Sequence, residues 1–193
     1  MTGLDLFIPL TKVDAQNRLL YGTIAAEVPD RCGEIFDYNS SKPHFLTWSG
    51  DFEKATGGGS KGNLRAMHGN VAAGKLVDIV FDDGGKKIKA VAKVVDEDEW
   101  RKCEEGVYTG FSVGGSYVRR WIDPTAGLKR YEAKPREVSL ADRPCIPTAT
   151  FTLVKTDGSE EKKSFLTAEC AEIAEKEQGP FEKCFRSACV RSL

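Results

Sequence analysis

Ser112 stands at the centre of Gly110-Phe-Ser-Val-Gly114, a G-x-S-x-G pattern inside the run GVYTGFSVGGSY of residues 106–117. A serine hydroxyl is a weak nucleophile until a neighbouring base removes its proton, and that base needs an orienting partner of its own. The chain holds only two histidines, His44 and His68, and both precede Ser112. His68 lies in Arg65-Ala-Met-His-Gly-Asn70, where the adjacent glycine leaves a substrate room to approach. His44 lies in Lys42-Pro-His-Phe-Leu46, an apolar, proline-bounded stretch that reads as structural. His68 is therefore the expected base. A Ser–Lys dyad using Lys75 or another lysine is the histidine-free alternative.

The order of these residues excludes one common setting. In α/β-hydrolases the histidine follows the nucleophile and the serine opens a helix; here no histidine follows Ser112, and Gly-Gly-Ser-Tyr-Val-Arg-Arg120 continues as a strand. The six cysteines form no C-x-x-C pair and are not spaced with the histidines as zinc ligands, so no metal or other cofactor is expected. Reduced thiols are the expected state. With a formal net charge of -1, the chain has no bulk attraction for nucleic acid or acidic membranes. No apolar run approaches the roughly 20 residues that span a bilayer, and MTGLDLFIPLTKVD lacks the basic and apolar regions of a secretory signal.

The elements that must position these residues are mostly short strands. Residues 17–27 read as a strand whose Gly22 marks a bulge. Residues 74–82 and 87–95 flank Asp83-Gly-Gly85, a hairpin signal. Ile88, Ala90, Ala92 and Val94 share one face of the second strand, and Lys87, Lys89 and Lys93 the other. Residues 96–105 switch to a helical pattern, with Asp96 as N-cap, Glu99 in a capping-box position and Gly106 as stop. Strands resume over 109–120, 128–132, 136–141 and 149–155, with residues 123–127 as a turn. Residues 49–62 read as a short helical stretch followed by a flexible glycine-rich loop. The expected fold is mainly β with short helices: residues 1–155 form one domain, a mostly antiparallel β-barrel or folded sheet, and 156–193 a charged linker with a partly helical tail.

Three motifs together resemble one family. MHGN of residues 67–70, GVYTGFSVGGSY, and Arg136-Glu-Val-Ser-Leu-Ala-Asp-Arg-Pro-Cys-Ile-Pro-Thr-Ala149 are similar, in that order, to the prohead maturation serine proteases of tailed bacteriophages, and most of all to the subgroup labelled XkdF-like. Residues 12–22 resemble that family's opening strand, so the likeness covers about residues 10–155. It implies Ser112 as nucleophile, His68 as base and Glu137 as orienting acid, with Asp142 as runner-up and His44 as the third-member alternative. It implies a β-barrel of herpesvirus-assemblin type flanked by helices, without cofactor. Backbone N–H groups around the glycines, Arg136 or Arg143 would supply the oxyanion donors. The substrates implied are phage scaffold and major capsid proteins, inside the prohead assembling in the host cytoplasm, and both self-processing and a homodimer fit the likeness. A catalytically inactive phage structural protein with the same fold, and an unrelated β-barrel binding module, are the competing readings.

Overall fold

The computed structural model describes residues 4–30, 33–142, 150–154 and 160–164. It is mainly β, with two helices and one curled ten-stranded sheet. In chain order the elements are β1 (Leu4–Asp14), β2 (Leu19–Ala26), β3 (Glu34–Phe36), α1 (Tyr38–Ala55), β4 (Gly62–Ala66), β5 (Ala72–Asp82) and β6 (Lys87–Val94). Then follow α2 (Glu97–Glu104), β7 (Gly110–Ile122), β8 (Lys129–Ala141), β9 (Thr150–Val154) and β10 (Glu160–Ser164).

The strand pairings run in a cycle. β1 pairs with β2, β2 with β6, β6 with β5, β5 with β4, β4 with β8, β8 with β7, and β7 returns to β1. One face of β2, β4, β5, β6, β7 and β8 points inward, where Leu20, Ile24, Leu64, Leu76, Ile88, Phe111 and Val138 are fully buried. The sheet is mostly antiparallel, as expected, with three parallel pairings among the described residues. β4 and β3 both pair with β8 in parallel, and β9 pairs with β1 in parallel.

The hairpin between β5 and β6 forms as its turn residues require, with Asp82 opposite Lys87. On β6 the even positions from Ile88 to Val94 are buried, and Lys87, Lys89 and Lys93 are exposed. The bulge expected at Gly22 lies two residues on: Thr23 and Ala25 pair with Lys89 and Ile88, leaving Ile24 as the extra residue. Asp96 does cap α2, accepting from Glu99 N–H at 3.0 Å. The Glu99 carboxylate does not reach back to complete a capping box. It is buried and accepts from Tyr108 Oη at 2.5 Å and Lys102 Nζ at 2.9 Å. Burial and that carboxylate push the Tyr108 phenol well above its usual range.

Three further differences have local causes. α1 begins at Tyr38, eleven residues earlier than the sequence suggested, because Pro43 masks a helix that Asp37 starts by accepting from Ser40 N–H at 2.9 Å. β8 is one strand where two were expected; Pro135 and Arg136 sit at a bulge, where a strand tolerates proline. The "flexible" glycine run is the C-cap of α1. Gly57 (φ 58°) donates to Lys54 O at 3.3 Å and Gly58 to Glu53 O at 2.8 Å, a Schellman arrangement. Residues 160–164, inside the stretch read as a linker, form β10 against β9. The tail expected beyond them lies outside the described residues.

α1 also completes the sheet. β8 pairs with β3 at residues 129–131 and with β4 at 138–140, and α1 serves the backbone between. Ser41 Oγ accepts from Ala133 N–H at 2.9 Å, and Trp48 Nε1 donates to the Arg136 carbonyl, freed by the bulge, at 3.2 Å. At its start, the Arg130 guanidinium joins Glu27, Asp37 and Asp123 at 2.8, 3.1 and 2.7 Å, tying α1 to the β7–β8 turn.

Candidate active site

Alternation along three adjacent strands selects the side chains. On β7, Phe111 and Val113 are buried in the core, so Ser112 and Gly114 point to the opposite face. On β8, Val138 and Leu140 are in the core, so Glu137 and Ser139 face away from it. On β4, Leu64 and Ala66 are in the core, and Arg65 faces away. Register does the rest. Ser112 pairs with Ser139, Gly114 with Glu137, and Arg65 with Ser139. Five residues from distant parts of the chain therefore meet on one patch of the outer face.

His68 arrives from the turn between β4 and β5. Met67 and His68 have φ of 49° and 54°, and Gly69 N–H donates to Ala66 O at 2.8 Å. Two consecutive positive φ values are the signature of a type I′ turn, normally built from Asn and Gly. A non-glycine residue there costs roughly 1–2 kcal/mol. Outside contacts hold it. Met67 N–H donates to Leu140 O at 2.9 Å, His68 N–H to Ser139 Oγ at 3.1 Å, and Arg65 Nη1 to Gly69 O at 3.0 Å.

The turn places the imidazole between serine and acid. His68 Nε2 lies 2.8 Å from Ser112 Oγ, and Nδ1 lies 2.6 Å from Glu137 Oε1. A carboxylate only accepts, so Nδ1 carries the proton. In the neutral ring Nε2 then presents its lone pair to the Ser112 hydroxyl. Glu137 Oε2 meets Arg65 Nε at 3.1 Å, and Ser139 Oγ donates to Oε1 at 3.3 Å. Ser112 is 2% exposed, whereas the His68 side chain is 31% exposed. The serine is thus nearly buried, while the imidazole beside it is partly open to solvent.

Of the residues proposed from sequence, Ser112, His68 and Glu137 come together. The alternatives lie elsewhere. His44, on α1, bonds Glu132 through Nε2 at 2.8 Å, and Lys75 donates to Gly59 O at 2.6 Å. Asp142 is exposed just past the end of β8, where its charge acts on Tyr108. Arg136 is the exposed bulge residue of β8, and Arg143 lies outside the described residues. Arg65, Ser139 and Gly114 were missed. The spacing of Glu137-Val-Ser139, two apart on a strand, was the signal available for one of them. Among the described residues no cluster of three or more His, Cys, Asp or Glu is placed to hold a metal ion.

Comparisons of the chain with models of protein families, with curated proteins and with solved structures give no match.

Proposed function

We propose that the chain is a serine endopeptidase of the prohead-maturation kind, cutting phage scaffold and major capsid proteins during assembly in the host cytoplasm. The observation that carries the reading is the relay Ser112 Oγ–His68 Nε2 at 2.8 Å and His68 Nδ1–Glu137 Oε1 at 2.6 Å. Ser112 Oγ attacks the scissile carbonyl as Nε2 takes its proton. Glu137 stabilises the imidazolium and fixes the tautomer. His68 then protonates the leaving amine, and water releases the acyl group by the same route. The phage setting, the substrates and the assemblin type of barrel rest on the motif resemblance; the cycle of paired strands is compatible with that barrel.

One observation favours a second reading. Ser112 is only 2% exposed, which leaves a scissile carbonyl little open approach and fits a phage structural protein that keeps the protease fold without turnover. A binding module unrelated to proteases fits less well, since it gives no reason for a histidine and an acid in line behind the serine. A labelled fluorophosphonate separates the first two readings. The peptidase is labelled at Ser112, and labelling disappears in Ser112→Ala; a folded wild-type protein that resists the reagent supports the inactive form. Co-expression with a phage scaffold or capsid protein then tests the substrate class.

A further inference from the structure

Two residues outside the serine–histidine–acid line grip the acid and the histidine together. Ser139 is fully buried and uses its hydroxyl twice, accepting from His68 N–H at 3.1 Å and donating to Glu137 Oε1 at 3.3 Å. Arg65 uses its guanidinium twice, with Nε on Glu137 Oε2 at 3.1 Å and Nη1 on Gly69 O at 3.0 Å. Each therefore bridges Glu137 to the turn that carries His68. Without them the only remaining polar tie on Glu137, a side chain with three rotatable bonds, would be the His68 ring it is meant to orient. His68 would then sit in a left-handed backbone conformation with one tie fewer.

The chain contains its own comparison. His44 also meets a carboxylate, Glu132, whose other oxygen lies 3.4 Å from Arg119 Nε. That contact runs through Nε2, so His44 carries its proton on Nε2. His68 makes its contact through Nδ1. The two rings should hold opposite tautomers, and only the one on Nδ1 leaves Nε2 bare for a serine. Ring orientation, and not the presence of a carboxylate, distinguishes them.

We infer that Arg65 and Ser139 are positioning residues. By clamping Glu137 against the 66–69 turn they lock His68 in the Nδ1–H tautomer, which readies Nε2 to accept the Ser112 proton. The inference rests on the proposed peptidase reading for its consequence, but its geometry is testable without turnover. Nitrogen-15 NMR of the histidine rings, at a pH where both are neutral, reads the tautomers directly, with His44 as internal reference. Wild-type protein should show His68 as Nδ1–H and His44 as Nε2–H. In Arg65→Gln, and in Ser139→Ala, the Nδ1–H to Nε2–H ratio of His68 should fall about tenfold, a coupling usual within one hydrogen-bond network, while His44 does not change. Arg65 is partly exposed, so its variant remains informative even where Ser139→Ala, at a buried site, unfolds.

Fluorophosphonate labelling of Ser112 supplies the second measurement. Arg65→Gln should slow it about tenfold in the wild-type background and not at all in a Glu137→Gln background, because Arg65 acts through that carboxylate. A merely structural role would slow both equally. An unchanged His68 tautomer in both variants, or a wild-type ring in the Nε2–H form, overturns the inference. A tautomer shift without any labelling of wild-type Ser112 upholds the clamp and removes the peptidase reading. Labelling that proceeds normally in Arg65→Gln does the reverse.

Discussion

The Glu137 carboxylate lies where a side chain on Gly114 would have to be: a Cβ built at Gly114 would stand 2.5 Å from Oε1 and 2.8 Å from Cγ. The two residues are register partners on β7 and β8, so the absence of a side chain at one lets the other fold across the strand towards His68. Gly114 is needed here for space, not for an unusual φ.

Gly114→Ala should therefore disable the site while sparing the fold. The neighbour in the way is a flexible side chain, so Glu137 can swing aside and relieve the clash. A strand alanine in place of glycine offsets roughly 0.5–1 kcal/mol of any remaining cost. The expected result is a thermal midpoint close to wild type, with Ser112 labelling slowed as much as by Glu137→Gln. Combining both substitutions should slow it no further. A fully reactive Gly114→Ala protein would mean that Glu137 orients nothing.

Ser112→Ala should abolish both labelling and cleavage without changing the circular dichroism spectrum, because a strand needs no hydroxyl. Glu137→Gln should lower turnover by up to about four orders of magnitude, the loss seen when an orienting acid is neutralised in a triad of this kind. Asp142→Asn should be silent, since that carboxylate acts on Tyr108 and not on His68. Wild-type turnover in Ser112→Ala, or a damaging Asp142→Asn beside a silent Glu137→Gln, would contradict the assignment.

How much of this the sequence displayed depends on the range of each signal. Ile88 to Val94 alternates cleanly because β6 is half-buried between two antiparallel neighbours, and such a strand announces itself locally. α1 did not, because Pro43 and its flanking serines argue against a helix that tertiary contacts impose. Phe45 and Trp48 pack into the core, and Ser41 and Trp48 satisfy β8. The serine and histidine were visible as residue types. The partners of Glu137 were not: Arg65 reaches it only through a parallel pairing of β4 with β8, and no local pattern encodes that register. Motif resemblance named the acid; geometry shows what grips it.

The glycine run after α1 gives a test at the level of dynamics. Composition suggested a mobile loop, yet the Gly57 and Gly58 amides are bonded to Lys54 and Glu53, Ser60 N–H to Thr56 Oγ1 at 2.9 Å, and Lys61 N–H to Leu76 O at 2.8 Å. Amide exchange at Gly58 and Lys61 should be protected well above an unstructured chain. Gly57→Ala, at φ 58°, should destabilise the protein by about 1 kcal/mol. Unprotected exchange at both amides would restore the flexible loop.

The acid stability of the fold centres on Arg130 and the carboxylates around it. Burial alone would raise the Asp37 carboxyl, but the Ser40 hydroxyl and N–H and the Arg130 guanidinium outweigh it and hold it below its ordinary 3.8. The Ala126 and Thr125 N–H groups, with Arg130, hold Asp123 below the same value. A carboxyl depressed in the folded state binds its proton more readily when the chain unfolds, so stability rises with pH across that interval. The contribution is complete above 3.8 and is lost as pH falls through the lower folded values. Thermal midpoints should accordingly be flat near neutrality and drop as the solution is acidified below that point. Asp123→Asn should melt lower than wild type at neutral pH, having lost its charge on Arg130, and should show a shallower acid decline. Parallel acid curves for the two proteins would place the acid sensitivity outside the Arg130 cluster.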